Sequence, residues 1–265
     1  MASLKIASLM AENMDFIVAA IVRYLDGRQD ASVKLVADAP WQERQSLLDA
    51  GRIDVAWICG LPYVQRVDEP GPDIEMLAAP VFRGARYEDR PMYFSDVVVR
   101  RESGFRTFAD LRGETWAYNE PGSHSGYNVV RSHLATLGET WNYFGRVVES
   151  GAHQVSLRMI VDGAVDASAI DSTVLEMAFE RQPALRSELR VIDTLGPSPI
   201  PPWVILRSVL PERRKALRDL LIGMNEDPRG QEVLAEGPIA RFARVEDRDY
   251  DLIRRMARKA AALQV

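Results

Sequence analysis

Residues 121–128, which read PGSHSGYN, hold the densest group of side chains able to do chemistry. Two serines and His124 stand between Gly122 and Gly126. A nucleophile elbow reads Gly-x-Ser-x-Gly and presents its central serine at a tight turn. Because His124 holds the central position here, the register excludes the usual elbow. The chain also has no P-loop and no strand-borne G-x-G-x-x-G sequence.

The same residues are better suited to binding an anion. They precede a helix-like run, and the start of a helix offers free N–H groups and the positive end of its dipole. Ser123 and Ser125 add hydroxyl donors, His124 adds a ring donor, and the glycines allow close approach of the backbone. Ordinary helix capping would explain one of the serines. Anion binding and capping therefore both remain open.

A second polar group opens the next helix-like segment. Gly151 and His153 stand at its start, where a neutral imidazole would donate to a bound anion. A surface histidine fits the same position equally well. His133 lies beside Leu134 within the preceding helix-like run, which indicates a structural or surface role.

Three more polar or aromatic residues flank strand-like runs. Asp171 directly follows one such run, and ligands of parallel α/β sheets lie beyond the carboxyl ends of strands. The same residue would also cap the next helix. Tyr63 follows a strand-like run and Tyr93 precedes another, so each would either contact a ligand or pack in the core.

The composition narrows the class of protein. The 265 residues are 47% hydrophobic, which is enough for a large core. A formal net charge of -5 argues against a nucleic-acid partner. The single Cys59 excludes an intrachain disulfide. One cysteine and three histidines also argue against a zinc site, which needs about four such ligands. No motif requires a metal or a cofactor.

The sequence shows no targeting or membrane-spanning segment. No apolar run approaches the ~20 residues of a transmembrane helix, and the first residues do not form a basic region followed by a long apolar stretch. Two expectations stay open at this point: a cytoplasmic protein, or a mature chain whose leader has been removed.

Strand-like and helix-like runs alternate along the first half of the chain. The strand-like runs are 4–10, 31–37 and 53–59, and the helix-like runs between them are 14–25 and 40–51. This alternation predicts parallel strands covered by helices on both faces of a sheet.

One helix-to-strand junction occurs twice. Gly51 is followed three residues later by Asp54, and 112 residues further on Gly163 and Asp166 repeat the pattern. Such a long period predicts two similar α/β lobes, because the repeats of solenoids are much shorter.

A proline-rich run near residue 198 marks the return of the chain from the second lobe to the first. The predicted first lobe is therefore discontinuous: it comprises residues 1–95 and 199–265, including the C-terminal helices. The predicted second lobe is 96–198.

Four segments occur in the order found in one known family: GRIDVAWICGLPYV, SDVVVRRESGFRTFADLRGETWAYNEPGSHSGYNVVRSHL, GAHQVSLRMIVDGAVDASAIDS and RFARVEDRDYDLIRRM. From about residue 4 to 258, the chain resembles the phosphate/phosphite/phosphonate-binding proteins of bacterial ABC transporters. The Ser-x-Ser-Gly-Tyr and Gly-x-His-x-x-Ser segments are the more specific parts of this resemblance.

The resemblance implies an α/β fold of the type II periplasmic-binding-protein kind. Each of two lobes would hold a mixed, mostly parallel sheet flanked by helices, and two hinge crossings would join them. The chain would be the solute-binding component of an ABC-type uptake system and would work as a monomer with an ABC permease. It would act in the periplasm as a leaderless mature chain, with a cytoplasmic location as the alternative. It would not be an enzyme, and it would have no catalytic residue and no cofactor.

The resemblance also assigns roles to residues in an inter-lobe cleft. Hydroxyl and imidazole groups would hold a small phosphate- or phosphonate-like oxyanion, two tyrosines would close over it, and a carboxylate would contact its far end. The groups that hold the oxyanion would be Ser123, Ser125 and His153. The two tyrosines would be Tyr63 and Tyr93, and the carboxylate would be that of Asp171.

Two places in the sequence depart from the family pattern. His124 stands where a small hydroxyl residue is common, and therefore removes one hydroxyl or substitutes a ring donor. Pro202 and Trp203 occupy a place that is often acidic or polar. An aminoalkylphosphonate would lose its ammonium partner there, and Trp203 would stack on a less polar ligand instead.

Two other functions fit the same fold. One is a cytosolic enzyme, such as a dehydratase that uses His153 or Asp171. The other is a ligand-sensing protein that acts through a separate signalling partner. Turnover that is lost on His153→Ala would distinguish the enzyme from a binding protein.

Overall fold

The structure is a computed structural model that describes residues 3–28 and 32–262, and within them the side chains of all residues except 41 and 42. Residue 31 of the predicted second strand lies outside the described residues. So do residues 1–2, 29–31 and 263–265 of the predicted first lobe. Over the described ranges, every helix is too short or too polar to cross a bilayer.

The first part of the chain alternates strands and helices as the sequence predicts. In chain order, the elements are β1 (Leu4–Ser8), α1 (Asp15–Leu25), β2 (Val33–Leu35), α2 (Trp41–Asp49), β3 (Val55–Trp57), α3 (Gly60–Asp68) and β4 (Ile74–Phe82).

The middle of the chain repeats this alternation. Its elements are β5 (Met92–Arg100), β6 (Thr115–Tyr118), α4 (Val129–Thr136), β7 (Arg146–Glu149), α5 (His153–Val161), β8 (Ala167–Asp171), α6 (Ser172–Arg181), α7 (Leu185–Glu188) and β9 (Leu189–Pro199).

The last part contains β10 (Trp203–Leu206), α8 (Pro211–Ile222), α9 (Pro228–Ala235), β11 (Ile239–Ala243) and α10 (Asp251–Ala262). Short 3₁₀ helices occupy Glu12–Met14, Ala85–Tyr87, Phe108–Leu111, Trp141–Tyr143, Gly223–Asn225 and Asp247–Tyr250. A π-helical turn, His124–Asn128, runs directly into α4 and is called the π turn below.

The chain forms two compact units, each with its own sheet. The first unit comprises the residues up to Met92 together with Pro199–Tyr250, and the second comprises Tyr93–Ser198 together with the residues from Asp251 onward. The strand order is β11-β4-β10-β3-β1-β2 in the first sheet and β7-β6-β8-β5-β9 in the second.

Both sheets are mixed and contain a parallel trio of strands. In the first, β1 lies parallel to β2 and β3, while β10 runs antiparallel to β3 and β4. In the second, β6 lies parallel to β7 and β8, while β5 runs antiparallel to β8. The α/β fold with two helix-flanked sheets agrees with the predicted class.

The repeated Gly-Asp junction performs the same task in each unit. Gly51 and Gly163 adopt left-handed conformations, with φ of 66° and 72°, where the helix before them ends. The backbone N–H groups of Lys5 and Thr115 donate to the carboxylates of Asp54 and Asp166 at 2.7 and 2.9 Å. Each aspartate therefore fastens the start of its own strand segment to the neighbouring parallel strand.

Alternating residues cover the two faces of the second sheet. The α4 side packs against Val97, Val99, Trp116, Ala167 and Ala169. The α5 side packs against Val98, Ala117 and Ile170. Successive strand side chains point to opposite faces, so each strand serves both cores and is fixed from both sides.

The division of the chain differs from the predicted lobes in one element. The sequence predicts that all C-terminal helices belong to the first lobe, but α10 packs on α4 in the second unit. Arg131 donates to the carbonyl of Ala260 at 3.2 Å, and the ammonium of Lys259 donates to the Thr136 hydroxyl at 2.8 Å. The chain therefore passes between the units three times, near residues 92, 198 and 250, whereas two crossings were predicted.

Candidate functional site

The carboxyl ends of the three parallel strands of the second sheet lie side by side. Asn119 follows β6, His153 begins the helix after β7, and Asp171 is the last residue of β8. Ligands of α/β proteins bind beyond this edge of a sheet. The order of strands and helices thus brings the predicted residues His153 and Asp171 to one edge of the sheet, together with Asn119, which was not predicted.

Ser123 begins the π turn as its N-cap. The N–H of Gly126 donates to Ser123 Oγ at 3.0 Å, and the N–H of Asn128 donates to the Ser123 carbonyl at 3.0 Å. The second bond spans five residues, which defines the π-helical geometry; such turns are rare and often lie at functional sites. Capping accounts for Ser123 and leaves Ser125 unexplained.

Ser125 faces His153 rather than its own helix. Ser125 Oγ lies 3.1 Å from His153 Nε2, and both residues are buried. The other ring nitrogen of His153, Nδ1, is buried and has no hydrogen-bond partner among the described residues. A buried, unpaired polar atom is costly unless a partner is supplied, so His153 has an unsatisfied hydrogen-bonding position beside a serine hydroxyl.

Gly126 permits a close approach of side chains at the middle of the π turn. A Cβ atom at this position would collide with Asn119 Oδ1 and would lie 3.2 Å from His153 Cε1. Asn119 is 7% exposed, and its Oδ1 is buried without a hydrogen-bond partner in the described ranges. Asn119, Ser123, Ser125 and His153 thus surround Gly126, and we call these four residues the polar cluster.

His124 forms hydrogen bonds with residues of the second unit that are outside this cluster. Its ring is fully buried, Nε2 lies 3.0 Å from Ser198 Oγ, and Nδ1 lies 3.0 Å from the side-chain nitrogen of Asn128. The ring of Tyr93 is also buried and lies beside it, with a centroid distance of 6.4 Å. The predicted contact between His124 and a ligand would require one of these two hydrogen bonds to break, and contact of Tyr93 with a ligand stays a prediction.

Burial keeps both histidines uncharged. It lowers the pKa of His124 to about 3 and that of His153 to about 4. Burial also raises the pKa of Glu120, just before the π turn, to about 7, and the charge of Glu149 adds to this effect. Any attraction of the polar cluster for an anion therefore comes from N–H and O–H dipoles and the helix start, and not from imidazolium charge.

Asp171 is the N-cap of α6. Its Oδ1 accepts hydrogen bonds from the N–H of Thr173 at 2.8 Å and from the Thr173 hydroxyl at 2.7 Å. Burial raises the Asp171 pKa to about 6, although these hydrogen bonds act to lower it. Of the two roles that the sequence allowed, capping is present in the structure, and contact with a ligand stays a prediction.

The two remaining predicted residues lie in the first unit. The hydroxyl of Tyr63 donates to Asp247 at 2.9 Å, and its ring packs against Tyr250. Trp203 is fully buried and stacks on Trp57 with a centroid distance of 6.2 Å. Trp203 Nε1 is buried, and no described residue accepts a hydrogen bond from it. Contact of either residue with a ligand stays a prediction.

Three residues of this region were not predicted from the sequence: Asn119, Asn128 and Ser198. The first two flank the Ser-His-Ser segment, so polar residues within a few positions of such a motif are a usable signal. Ser198 lies 74 residues from its partner His124, and nothing local in the sequence connects them. In the part of the chain that the structure describes, no group of three or more His, Cys, Asp or Glu side chains is arranged to hold a metal ion.

Comparison with known proteins points to one family. A family model described as the periplasmic substrate-binding protein of phosphonate ABC transporters matches residues 7–250. Among solved structures, a binding-protein component of a phosphonate ABC transporter from Pseudomonas aeruginosa is 19% identical, with a TM-score of 0.84 over 99% of this chain and 89% of the other.

Two further structures share the fold. PhnD1 from Prochlorococcus marinus, solved in complex with methylphosphonate, is 18% identical, with a TM-score of 0.80 over 98% of each chain. The aliphatic sulphonate binding protein SsuA from Escherichia coli is 16% identical, with a TM-score of 0.64 over 97% of this chain and 91% of the other. At these identities the structural likeness establishes the type II periplasmic-binding-protein fold and no more.

Proposed function

The chain belongs to the family of periplasmic substrate-binding proteins of phosphonate ABC transporters, and we propose that it binds a small phosphonate-like oxyanion at the polar cluster. Members of this family and the structural neighbours are substrate-binding proteins and not enzymes. The proposal concerns which residues of this chain hold the ligand and what kind of ligand they hold.

The observation that carries the proposal is the pairing of Ser125 with His153 beside the start of a helix. Ser125 Oγ lies 3.1 Å from His153 Nε2. The other ring nitrogen, Nδ1, is buried and has no hydrogen-bond partner among the described residues. The first N–H groups of a helix lack partners within the helix, and Ser125 and His153 each lie in the first turn of a helical segment. Buried donors without formal charge bind an oxyanion through several short hydrogen bonds at once.

Asn119 extends the proposed contacts beyond the predicted ones. Its side-chain amide packs on Gly126 and has one buried atom that no described residue pairs with. An amide offers both a donor and an acceptor. It therefore suits a singly protonated oxyanion, whose P–O⁻ accepts a hydrogen bond and whose P–OH donates one.

The partner and the location follow from the family. We propose that the chain acts in the periplasm, as a single copy, and delivers its ligand to an ABC permease. The family description supports the periplasmic location and the link to a transporter.

Isothermal titration calorimetry on protein shown to be ligand-free tests the proposal. The panel comprises methylphosphonate, phosphite and phosphate, with methanesulfonate as a match in shape that lacks an ionisable P–OH group. We expect micromolar or tighter binding of at least one phosphorus oxyanion and weaker binding of methanesulfonate. The absence of heat with every member would overturn the proposed ligand class.

A further inference from the structure

His124 differs from the polar cluster because its hydrogen-bonding capacity is met within the protein. The ring is 0% exposed, and each of its two nitrogens lies 3.0 Å from a side-chain atom of the same unit. Resting on the proposed function, we infer that His124 is a positioning residue. It holds the π turn to Asn128 and to Ser198 near the end of β9, and it does not contact the ligand.

The arrangement of protons supports this role. The side-chain nitrogen of Asn128 is a donor, so His124 Nδ1 accepts, and the remaining ring proton is on Nε2, which donates to Ser198 Oγ. If the Asn128 amide were turned over, Nδ1 would donate and Nε2 would accept from Ser198. Both nitrogens are used in either case, so a ligand would have to displace an internal partner.

The two hydrogen bonds of His124, to Asn128 and to Ser198, hold the π turn in place. His124 stands between Ser123 and Ser125, and its ring fixes the start of the π turn to the end of the same turn through Asn128. The bond to Ser198 fixes the turn to a strand that is distant in sequence. Because a π turn is an uncommon geometry, this fastening sets the direction in which the neighbouring Ser125 hydroxyl points.

The test combines spectra of histidine side chains with affinity measurements. The chain has only three histidines, so ¹⁵N-histidine labelling gives three ring systems that His→Gln variants assign. We expect Ser198→Ala to shift the ring nitrogens of His124, and methylphosphonate to shift those of His153 and leave those of His124 in place. A methylphosphonate-induced shift at His124 as large as that at His153 would overturn the inference.

Affinity variants provide an independent measurement. Loss of the buried ring contacts in His124→Ala should weaken methylphosphonate binding by about tenfold or more. His124→Gln, which can still donate toward Ser198, should recover part of that loss. Ser198→Ala should add little once His124 is already alanine, whereas fully additive losses would contradict a shared role. His133→Gln is the matched control, since His133 packs on Phe108 away from these bonds, and it should leave the affinity unchanged.

The spectra also separate this inference from the proposed function. If wild-type protein binds no oxyanion, the proposed function fails, but the ligand-free spectra still decide the role of His124. A neutral His124 ring that responds to Ser198→Ala then supports the internal fastening, and a ring that ignores that substitution overturns it. This comparison uses only the wild-type protein and Ser198→Ala, so it does not depend on whether His124→Ala folds.

Discussion

The hydroxyl oxygen of Ser125 lies 3.1 Å from Nε2 of His153, although 28 residues separate the two in sequence. Ser125 belongs to the turn after β6 and His153 to the helix after β7, and these strands are parallel neighbours. The sheet therefore brings together two groups that neither segment would hold alone. The following predictions test what this pairing, and the contacts around it, contribute.

Ser125→Ala should weaken oxyanion binding by about 1.5–3 kcal/mol, or roughly 10- to 150-fold, because a hydrogen bond to a charged group is lost. Calorimetric titration measures this change directly. Ser187→Ala removes an exposed hydroxyl elsewhere in the same unit and serves as the control. An unchanged affinity in Ser125→Ala would limit the Ser-His-Ser segment to capping and packing.

Gly126→Ala should destabilise the protein by about 1–3 kcal/mol, since the added methyl group collides with Asn119 in a packed site. Gly122→Ala is the matched control, because no atom of the described residues other than Gly122 and its two chain neighbours lies within 4 Å of the added Cβ. Urea unfolding of both variants gives the free energies of unfolding. Combining Gly126→Ala with Asn119→Ala should recover part of the stability, and a failure to recover would mean that the collision is not with Asn119.

The stability of the wild-type protein should depend on pH through His153. Its pKa is about 4 in the folded state and about 6.5 when unfolded, so the unfolded state binds more protons between these values. The stability that neutral His153 contributes is therefore lost as pH falls from about 6.5 toward 4, by about 2 kcal/mol between pH 7 and 5.

His153→Gln should remove that part of the pH dependence, as chemical unfolding at pH 7 and pH 5 would measure. Asp171 acts in the opposite direction, because its raised pKa of about 6 makes the folded state bind more protons over part of the same window. The difference between wild type and variant isolates His153. Equal losses in both proteins would show that His153 is not held neutral by burial.

Asp171→Ala should cost about 0.5–2 kcal/mol of stability, because α6 loses the side chain that caps its first turn. Asp171→Asn should cost much less, since the amide oxygen can accept the same N–H bonds. Thermal or urea unfolding distinguishes the two variants. Similar losses for asparagine and alanine would mean that the negative charge, and not the cap, is what Asp171 supplies.

Local patterns in the sequence predicted much of the fold. The hydrogen bonds of Asp54 and Asp166 span 49 and 51 residues, but the glycine stops before them, Gly51 and Gly163, reveal both αβ junctions because each ends a helix only a few positions before the next strand. The capping role of Ser123 is local in the same way. These features depend on neighbouring residues, so the sequence alone contains the information.

Contacts between distant segments could not be predicted in this way. Ser198 contacts His124 only after β9 has taken its place in the second sheet. The sequence predicts that the C-terminal helices belong to the first lobe, but only the folded second unit offers the α4 surface on which α10 packs. The sequence predicts that Trp203 stacks on a ligand, which stays a prediction, but its pairing with Trp57 follows only from the assembled sheet.

A crystal structure of the protein with methylphosphonate tests the central claim most directly. We predict that the phosphonate oxygens lie within about 3.2 Å of Ser125 Oγ and of a His153 ring nitrogen, with the π turn unchanged and the bond from His124 to Ser198 intact. A phosphonate bound elsewhere, with Ser125 and His153 still paired only with each other, would contradict the account.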